Sequence, residues 1–128
     1  MPSILIIDDD KLVREATQIL LRARGYSVAV AQDGQSGIDA AQTGQFDLAI
    51  VDLFMPGMDG LQVIKAIRKS MPDMALIAAS GFMFGGACPQ MPEFEAMAVE
   101  AGAALTLYKP LRARDVLQAV VTAIGVAA

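Results

Sequence analysis

The sequence predicts an α/β protein built on a doubly wound, five-stranded parallel sheet with strand order 2-1-3-4-5. Short apolar runs alternate five times with segments of helical spacing, the connections are short, and polar side chains follow several of the apolar runs at the point where each run ends. Alternation of this kind is typical of a parallel sheet with helices on both faces.

Composition limits the function classes. A chain of 128 residues predicts one domain over residues 1–128, with no second domain for output. Its net charge of −4, without a basic patch, argues against nucleic-acid binding, and no apolar run is long enough to span a membrane. The single cysteine and the absence of a secretory signal favour the cytoplasm. Because the chain has no histidine, His-containing triads and histidine metal sites are excluded.

The first half of the chain predicts two strand-helix units. Ile4 to Ile7 forms the first strand and ends in three acids, of which Asp10 is predicted to be a helix N-cap or a solvated turn residue. The next segment has the spacing of an amphipathic helix, with apolar positions at Leu12, Ala16, Ile19, Leu20 and Ala23. Tyr26 to Ala31 is the second strand, and Gln35 to Gln42 is a short helix.

The remaining three units start with the apolar run Leu48 to Val51, which leads into Asp52 and predicts a strand covered on both faces. Asp59 is the expected N-cap of the following helix, which carries Leu61, Ile64, Ala66 and Ile67 and ends before Pro72. The later elements are a strand at Ala75 to Ala79, a helix with Phe94, Met97, Ala98 and Ala101 on one face, a strand at Leu105 to Tyr108, and a helix at Ala113 to Ile124 with Val116, Leu117, Val120 and Val121.

Polar side chains at strand ends form the candidate site. Asp8 and Asp9 follow the first strand, Asp52 the third, Ser80 the fourth and Lys109 the fifth. In strand order 2-1-3-4-5 the first and third strands are neighbours at the topological switch point, so their acids converge in one crevice. An acid-rich site made only of oxygen ligands suits a hard cation, and Mg²⁺ is satisfied by one or two protein carboxylates with water and phosphate oxygens.

The chain resembles the receiver domains of bacterial two-component response regulators, specifically the stand-alone, chemotaxis-type receivers with a flavodoxin-like fold. Four motifs carry the resemblance, in the family's order and at roughly its spacing: IIDDD (Ile6 to Asp10), VDLFMPGMDG (Val51 to Gly60), AAS (Ala78 to Ser80) and LYKP (Leu107 to Pro110).

The resemblance implies a role for each site residue. Asp52 would accept a phosphoryl group, Ser80 would be the switch hydroxyl, and Lys109 would pair with the aspartate or its phosphoryl group. The metal would be Mg²⁺, with Mn²⁺ as a substitute. Its ligands would be Asp9 directly, Asp8 directly or through water, Asp52, and the main-chain carbonyl of Phe54.

The function that the resemblance implies is a phosphorylation-activated signalling switch. The phosphoryl donor would be a sensor histidine kinase or a histidine phosphotransfer protein, and the output would be binding to a downstream target protein, with no nucleic acid or membrane as partner. Such a chain would not be an enzyme beyond catalysing its own phosphoryl transfer and slow autodephosphorylation.

Two features depart from the family pattern. Receivers usually carry an aromatic residue three positions before the lysine, where this chain has Thr106; Tyr108, two residues further on the same strand face, is a candidate replacement. The segment Gly81 to Pro92 is several residues longer than this connection commonly is, and long irregular loops in compact domains tend to be functional or mobile.

Two other functions remain open from sequence. The Asp-x-Asp at Asp8 to Asp10 also fits a metal-dependent aspartyl phosphatase of the haloacid-dehalogenase type, with Asp8 as nucleophile. Against this hypothesis, Leu12 stands where that motif prefers Thr or Val, and a late acidic pair is missing because Asp115 stands alone. The second alternative is a degenerate receiver that acts only as a binding module, which the intact acids and lysine argue against.

Overall fold

The computed structural model describes residues 2–55, 57–81 and 91–125, with residues 91–95 described by backbone alone. Strands and helices alternate along the chain as predicted. In order, they are β1 Ser3–Ile7, α1 Lys11–Ala23, β2 Ser27–Ala31, α2 Gly34–Thr43, β3 Leu48–Asp52, α3 Gly60–Ser70, β4 Ala75–Ser80, α4 Met91–Ala101, β5 Leu105–Tyr108 and α5 Ala113–Ile124.

The five strands form one parallel sheet in the order β2-β1-β3-β4-β5, which confirms the predicted fold class. Central strand β3 is buried at every position, as its continuous apolar run indicates. Because successive side chains of a strand point to opposite faces, each strand supplies both cores. One core, with α2 and α3, contains Leu5, Ile7, Ala49 and Val51, and the other, with α1 and α5, contains Ile4, Ile6, Leu48 and Ile50.

Three aspartates begin three of the helices. Asp10 accepts hydrogen bonds from the first-turn amides of α1, Asp33 caps α2, and Asp59 forms a capping box with Gln62 at the start of α3. Each such cap stabilises its helix by about 1 kcal/mol. The predicted N-cap roles of Asp10 and Asp59 are thus confirmed, and α1 and α3 begin immediately after residues that belong to the candidate site or its neighbouring loop.

The predicted apolar positions of α1 do not form its buried face, which is a correction to the sequence analysis. Of that set only Leu20 is partly buried; Ala16 and Ala23 are exposed, and Leu12 and Ile19 are 76% and 70% exposed. The fully buried side chains of the helix are Thr17 and Leu21. The helix therefore packs on the sheet through a different face and presents an apolar stripe to solvent: Leu12, Ala16, Ile19 and Ala23.

The second correction concerns α4, where Ala98 is fully buried but Met97 is 44% exposed. Phe94, the other large residue predicted for this face, is described by its backbone alone. The predicted irregular segment Gly81 to Pro92 and Cys88 within it lie largely outside the described residues. Among the helices that the structure does describe, none has both the length and the apolar composition needed to cross a membrane.

Candidate functional site

The predicted site residues meet at the carboxyl edge of the sheet. Asp52 is the last residue of β3, Ser80 is the last residue of β4, Asp8 follows β1 directly, and Lys109 follows β5 directly. Strands β1 and β3 pair with Ile7 opposite Val51, so Asp8 and Asp52 leave neighbouring strands at the same level. Parallel strand direction thus brings together residues as far apart in sequence as Asp8 and Lys109.

Three carboxylates form the acidic part of the site. Asp8, Asp9 and Asp52 each offer an oxygen, and these oxygens lie within 4.8 Å of one another. Asp8 and Asp52 are 2% and 3% exposed, whereas Asp9 is open to solvent. Carboxylates this close repel one another unless a cation is among them, and a set of oxygen ligands with one open side fits a hard divalent cation.

Lys109 supplies the positive charge that the chain itself brings to these acids. Its ammonium nitrogen lies 2.8 Å from Asp8 Oδ2 and 3.3 Å from Asp52 Oδ2. Burial by itself would lower the pKa of Lys109, but the hydrogen bond to Asp8 and the two neighbouring carboxylates raise it above its ordinary value. Lys109 is therefore a permanent cation that bridges the ends of β1 and β3.

The carboxyl group of Asp52 has a strongly raised pKa. Burial and the adjacent charge of Asp8 raise its pKa to about 7, against the opposing effects of Lys109 and of the Phe54 amide. A hydrogen bond with Asp9 also raises this pKa. Perturbation of this size is typical of functional groups, and a bound cation would favour the ionised form of Asp52.

The β1–α1 turn is held by hydrogen bonds around Asp8. The amide of Asp10 donates to Asp8 Oδ1 over 2.9 Å, the amide of Asp8 donates to the Ala31 carbonyl over 3.1 Å, and the Arg14 guanidinium donates to the Asp8 carbonyl over 2.9 Å. Sequence reasoning missed Arg14. The available signal was an arginine one helical turn after the N-cap Asp10, close enough to reach back to the end of β1.

The β3–α3 connection fixes Asp52 from the other side. The Phe54 amide donates to Asp52 Oδ1 over 3.1 Å, and the Gly60 amide donates to the Leu53 carbonyl over 3.0 Å. A Cβ on Gly60 would lie 2.2 Å from the Asp52 carbonyl oxygen, which is too close for any side chain. Glycine is thus required where α3 begins, although the sequence analysis gave Gly60 no role in the site. The Phe54 carbonyl as a metal ligand stays a prediction.

Ser80 differs from the other site residues in its hydrogen bonding. Its side chain is fully buried, and among the described residues its hydroxyl has no hydrogen-bond partner. The Ser80 carbonyl accepts a 2.7 Å hydrogen bond from the Lys109 amide, and the Lys109–Pro110 peptide is cis. Ser80 and Lys109 are therefore joined through the main chain, whereas no described residue forms a hydrogen bond with the Ser80 hydroxyl.

The two β5 residues that depart from the expected pattern lie beside a surface groove. Tyr108 pairs in register with Ser80, and Thr106 pairs with Ala78. Tyr108 is 58% exposed, and both residues line a pocket of about 430 Å³ between β5 and α5. The proposed replacement of the usual aromatic residue by Tyr108 stays a prediction.

A family model described as the response regulator receiver domain matches residues 4–121 of the chain. Among curated proteins, response regulator MprA of Mycolicibacterium vanbaalenii is 38% identical over 74 residues, which are 58% of this chain and 32% of MprA. Transcriptional regulatory protein DltR of Streptococcus agalactiae is 40% identical over 67 residues, which are 52% of this chain and 30% of DltR. The match therefore spans about a third of the length of these relatives.

Solved structures agree over nearly the whole chain. A CheY-like receiver domain protein from Methanospirillum hungatei superposes with a TM-score of 0.86 at 27% identity, covering 97% of this chain and 94% of that one. Chemotaxis protein CheY4 of Vibrio cholerae superposes with a TM-score of 0.84 at 26% identity, covering 96% of this chain and 98% of that one.

Proposed function

The chain belongs to the response regulator receiver domain family, and from this premise we propose that it is a phosphorylation-activated switch of a two-component or phosphorelay system. In this proposal Asp52 accepts a phosphoryl group from a phosphohistidine of a partner protein. The supporting observation is the convergence of Asp8, Asp9 and Asp52 with the Lys109 ammonium at one edge of the sheet.

Phosphoryl transfer requires little covalent chemistry from the protein beyond position and charge. In the proposed step the bond from phosphorus to the donor imidazole nitrogen breaks, with its electron pair staying on nitrogen, while a bond from phosphorus to an Asp52 carboxylate oxygen forms. Lys109, 3.3 Å from Asp52, favours the ionised carboxylate that acts as nucleophile. The buried position of Asp52 limits competing hydration of the nucleophile.

The proposed cofactor is Mg²⁺, with Mn²⁺ able to replace it. Asp8, Asp9, Asp52 and the main-chain carbonyl of Phe54 would hold the ion, which when bound compensates the charge of the phosphoryl oxygens. The three acids support this proposal because they offer only oxygen ligands and crowd one another's charge.

Lys109 and Ser80 would respond to the new group. Phosphorylation replaces a carboxylate with a group of about two negative charges and three acceptor oxygens. Lys109 can pair with that charge, and the buried hydroxyl of Ser80 can donate a hydrogen bond to it. Since the Lys109 amide is bonded to the Ser80 carbonyl, movement of Ser80 would be transmitted directly to the end of β5.

The exposed stripe of α1 is our candidate contact for the phosphoryl donor. It begins at Leu12, two residues after the cap of the helix that starts at the site, and its spacing matches a helix-packing seam. One helix face is small compared with a stable interface of about 1,600 Å², which favours a brief encounter with a helical donor surface over a permanent dimer. Ile19→Ser should slow transfer from a phosphorylated kinase of the host but leave labelling by acetyl phosphate unchanged.

Further parts of the proposal concern the setting of the switch. We propose that residues 1–128 act as a single receiver domain, in the cytoplasm, through a downstream target protein and without nucleic acid. Catalysis would be confined to the chain's own phosphorylation and slow autodephosphorylation. Phosphotransfer profiling against the host's histidine kinases would identify the donor.

The direct test is labelling with acetyl phosphate. With Mg²⁺ present the chain should form an acyl phosphate that peptide mapping assigns to Asp52; Asp52→Asn and excess EDTA should each abolish it. Asp39→Asn is a matched control, because Asp39 lies on the exposed side of α2, where its carboxylate accepts a hydrogen bond from the Gln35 side chain. An adduct on Asp8 would overturn the proposal.

The same experiment addresses the phosphatase alternative. That mechanism requires Asp8 as nucleophile and Asp10 as its partner acid, but Asp8 is paired with Lys109 and Asp10 accepts the first-turn amides of α1. These contacts argue against the phosphatase, and turnover of a small phosphate ester would restore it. A chain that binds no Mg²⁺ and forms no adduct would instead be a degenerate receiver.

A further inference from the structure

We infer that Arg14 is a positioning residue for the divalent-cation site, acting through the main chain of Asp8. The inference rests on the proposed function, because it concerns the cation that Asp8 and Asp9 would hold. The guanidinium of Arg14 donates a 2.9 Å hydrogen bond to the main-chain carbonyl of Asp8. This bond is to the main chain and not to a carboxylate of the site.

Each polar group of Asp8 has a different partner. Its amide donates to the Ala31 carbonyl over 3.1 Å, its Oδ1 accepts from the Asp10 amide over 2.9 Å, and its Oδ2 pairs with Lys109 over 2.8 Å. The carbonyl is held by Arg14. Two of these four contacts come from side chains, and only the one from Arg14 can be removed without removing the cation that pairs directly with the acids.

The Asp8 carbonyl belongs to the peptide unit that leads into Asp9. Rotation of this peptide changes the direction in which the Asp9 side chain leaves the main chain, because a peptide unit moves as a rigid plane. Asp9 is exposed, so packing does little to orient it. Arg14 therefore restrains the acid that has the fewest other restraints, and it does so from the second turn of α1.

The surroundings of Arg14 allow this contact to be removed cleanly. Its side chain lines an open pocket of about 320 Å³ together with Val30, Ala31, Gln32 and Ser36. A shorter or uncharged side chain leaves space that water can enter, and neither apolar core includes Arg14. Loss of the guanidinium should loosen the β1–α1 turn without opening a cavity in the protein interior.

Charge and position predict opposite effects on cation binding. Removal of a positive charge near three carboxylates would by itself strengthen the binding of Mg²⁺, because like charges repel. Removal of the hydrogen bond that orients the turn would weaken it. Weaker Mg²⁺ binding after substitution of Arg14 can thus be assigned to positioning and not to charge.

The experiment is a titration of the full chain with MgCl₂, followed by the backbone amide shifts of residues 8–12 in NMR spectra. Arg14→Met should weaken Mg²⁺ binding about tenfold, which is the low end for loss of a contact that orients a metal ligand. Arg22→Met is the matched control, because Arg22 lies on the same helix and donates a similar hydrogen bond, 3.1 Å, to the Val28 carbonyl away from the site. It should bind Mg²⁺ like the parent.

Unchanged or tighter Mg²⁺ binding by Arg14→Met would overturn the inference, as would equal weakening in Arg22→Met. If Arg14→Met does not fold, Arg14→Lys provides the test: it keeps the charge but replaces the rigid guanidinium fork with a flexible amine, so it should also bind more weakly than the parent. Parent-like binding by a folded Arg14→Lys would then overturn the inference. A parent chain that binds no Mg²⁺ would contradict the proposed function instead.

Discussion

The two halves of the site differ in how completely their polar groups are bonded. In the acid half, formed by Asp8, Asp9 and Asp52, main-chain amides and Lys109 contact the buried carboxylates. In the hydroxyl half, formed by Ser80 at the end of β4, the buried Oγ has no partner among the described residues. The hydrogen bonds and ion pairs of the buried acids are thus formed before any phosphoryl group arrives, whereas the Ser80 hydroxyl has no such contact among the described residues.

Physical chemistry accounts for this difference. Buried carboxylates are tolerated only with compensating charge and hydrogen bonds, so the folded chain must supply Lys109 and the amides from the start. A buried neutral hydroxyl without a partner costs far less, on the order of 1 kcal/mol. The folded chain therefore tolerates the Ser80 hydroxyl before phosphorylation, and the phosphoryl group would then provide acceptor oxygens for it.

Loss of the lysine that joins the acids should have the largest effect. Lys109→Met leaves two buried carboxylates without their cation, which should lower the free energy of unfolding at pH 7.5 by about 3–5 kcal/mol. Urea denaturation would measure the change. Lys11→Met is the control: Lys11 is 75% exposed and 3.8 Å from Glu15, so its loss should cost about 0.5 kcal/mol or less. Equal changes in the free energy of unfolding for the two substitutions would contradict the expectation that the buried ion pair contributes more than the surface pair.

The pH dependence of stability should separate the two halves next. Because the pKa of Asp52 is about 7 in the folded chain and about 4 in an unfolded one, the folded state binds more protons between these values. The contribution of protonated Asp52 to the free energy of unfolding is fully present below pH 4. It is lost as pH rises through 7, and the loss is at most about 4 kcal/mol.

Urea denaturation in EDTA from pH 4 to 8 would measure this loss. Asp52→Asn should remove most of the pH dependence, whereas Ser80→Ala should leave it unchanged, because serine does not titrate in this range. A parent chain whose stability rises steadily from pH 4 to 7 would contradict the raised pKa of Asp52.

A methyl group at the start of α3 should disturb the acid half through the main chain of Asp52. Gly60→Ala places its Cβ against the Asp52 carbonyl, so the main chain must shift. We expect the free energy of unfolding to fall by about 2 kcal/mol and acetyl phosphate to label Asp52 more slowly. Gly57→Ala is the control, since its Cβ would meet no atom of the other described residues within 4 Å. That control carries only the strain of a φ of +87°, about 1 kcal/mol, and should label normally.

Removal of the Ser80 hydroxyl should have the smallest effect on the resting chain. Ser80→Ala should leave stability unchanged or raise it by about 1 kcal/mol, because the buried hydroxyl that it removes has no hydrogen-bond partner in the described part of the chain. Its consequence should appear only with beryllofluoride, a phosphoryl mimic, as reduced NMR shift changes at the Lys109 amide. Ser70→Ala, which removes an exposed hydroxyl bonded to the Ala66 carbonyl, should keep the parent response. Destabilisation of Ser80→Ala by more than about 1 kcal/mol would imply a resting partner.

The fold was predictable because its signals are local. Each strand is a short apolar run, and α1 and α3 begin at aspartates whose capping role depends only on neighbouring amides. The carboxyl ends of parallel strands share one edge of the sheet, so polar residues at those ends could be assigned to a common site before any distance was known. The structure confirms the strand order and brings Asp8, Asp52 and Lys109 into contact.

The error at α1 shows where local signals stop. The spacing of Leu12 and Ile19 fits a helix, but the helix packs through Thr17 and Leu21, on another face. Hydrophobic periodicity indicates that a segment forms an amphipathic helix, but here it did not identify the face that packs against the sheet. That choice depends on how the helix packs against the rest of the fold, where Leu21 enters the core that also contains residues of α5.

The sequence by itself determined the alternation of elements and the residue types that collect at one edge, because these follow from side-chain periodicity and strand direction. Tertiary structure decided which polar groups are paired there. It gave Lys109 two carboxylate partners, raised the pKa of Asp52 by burial beside Asp8 and placed Gly60 against the Asp52 carbonyl. It also buried the Ser80 hydroxyl where no other described residue offers it a hydrogen bond. These properties depend on distances of a few ångströms between separate strands and loops, and only the packed chain sets such distances.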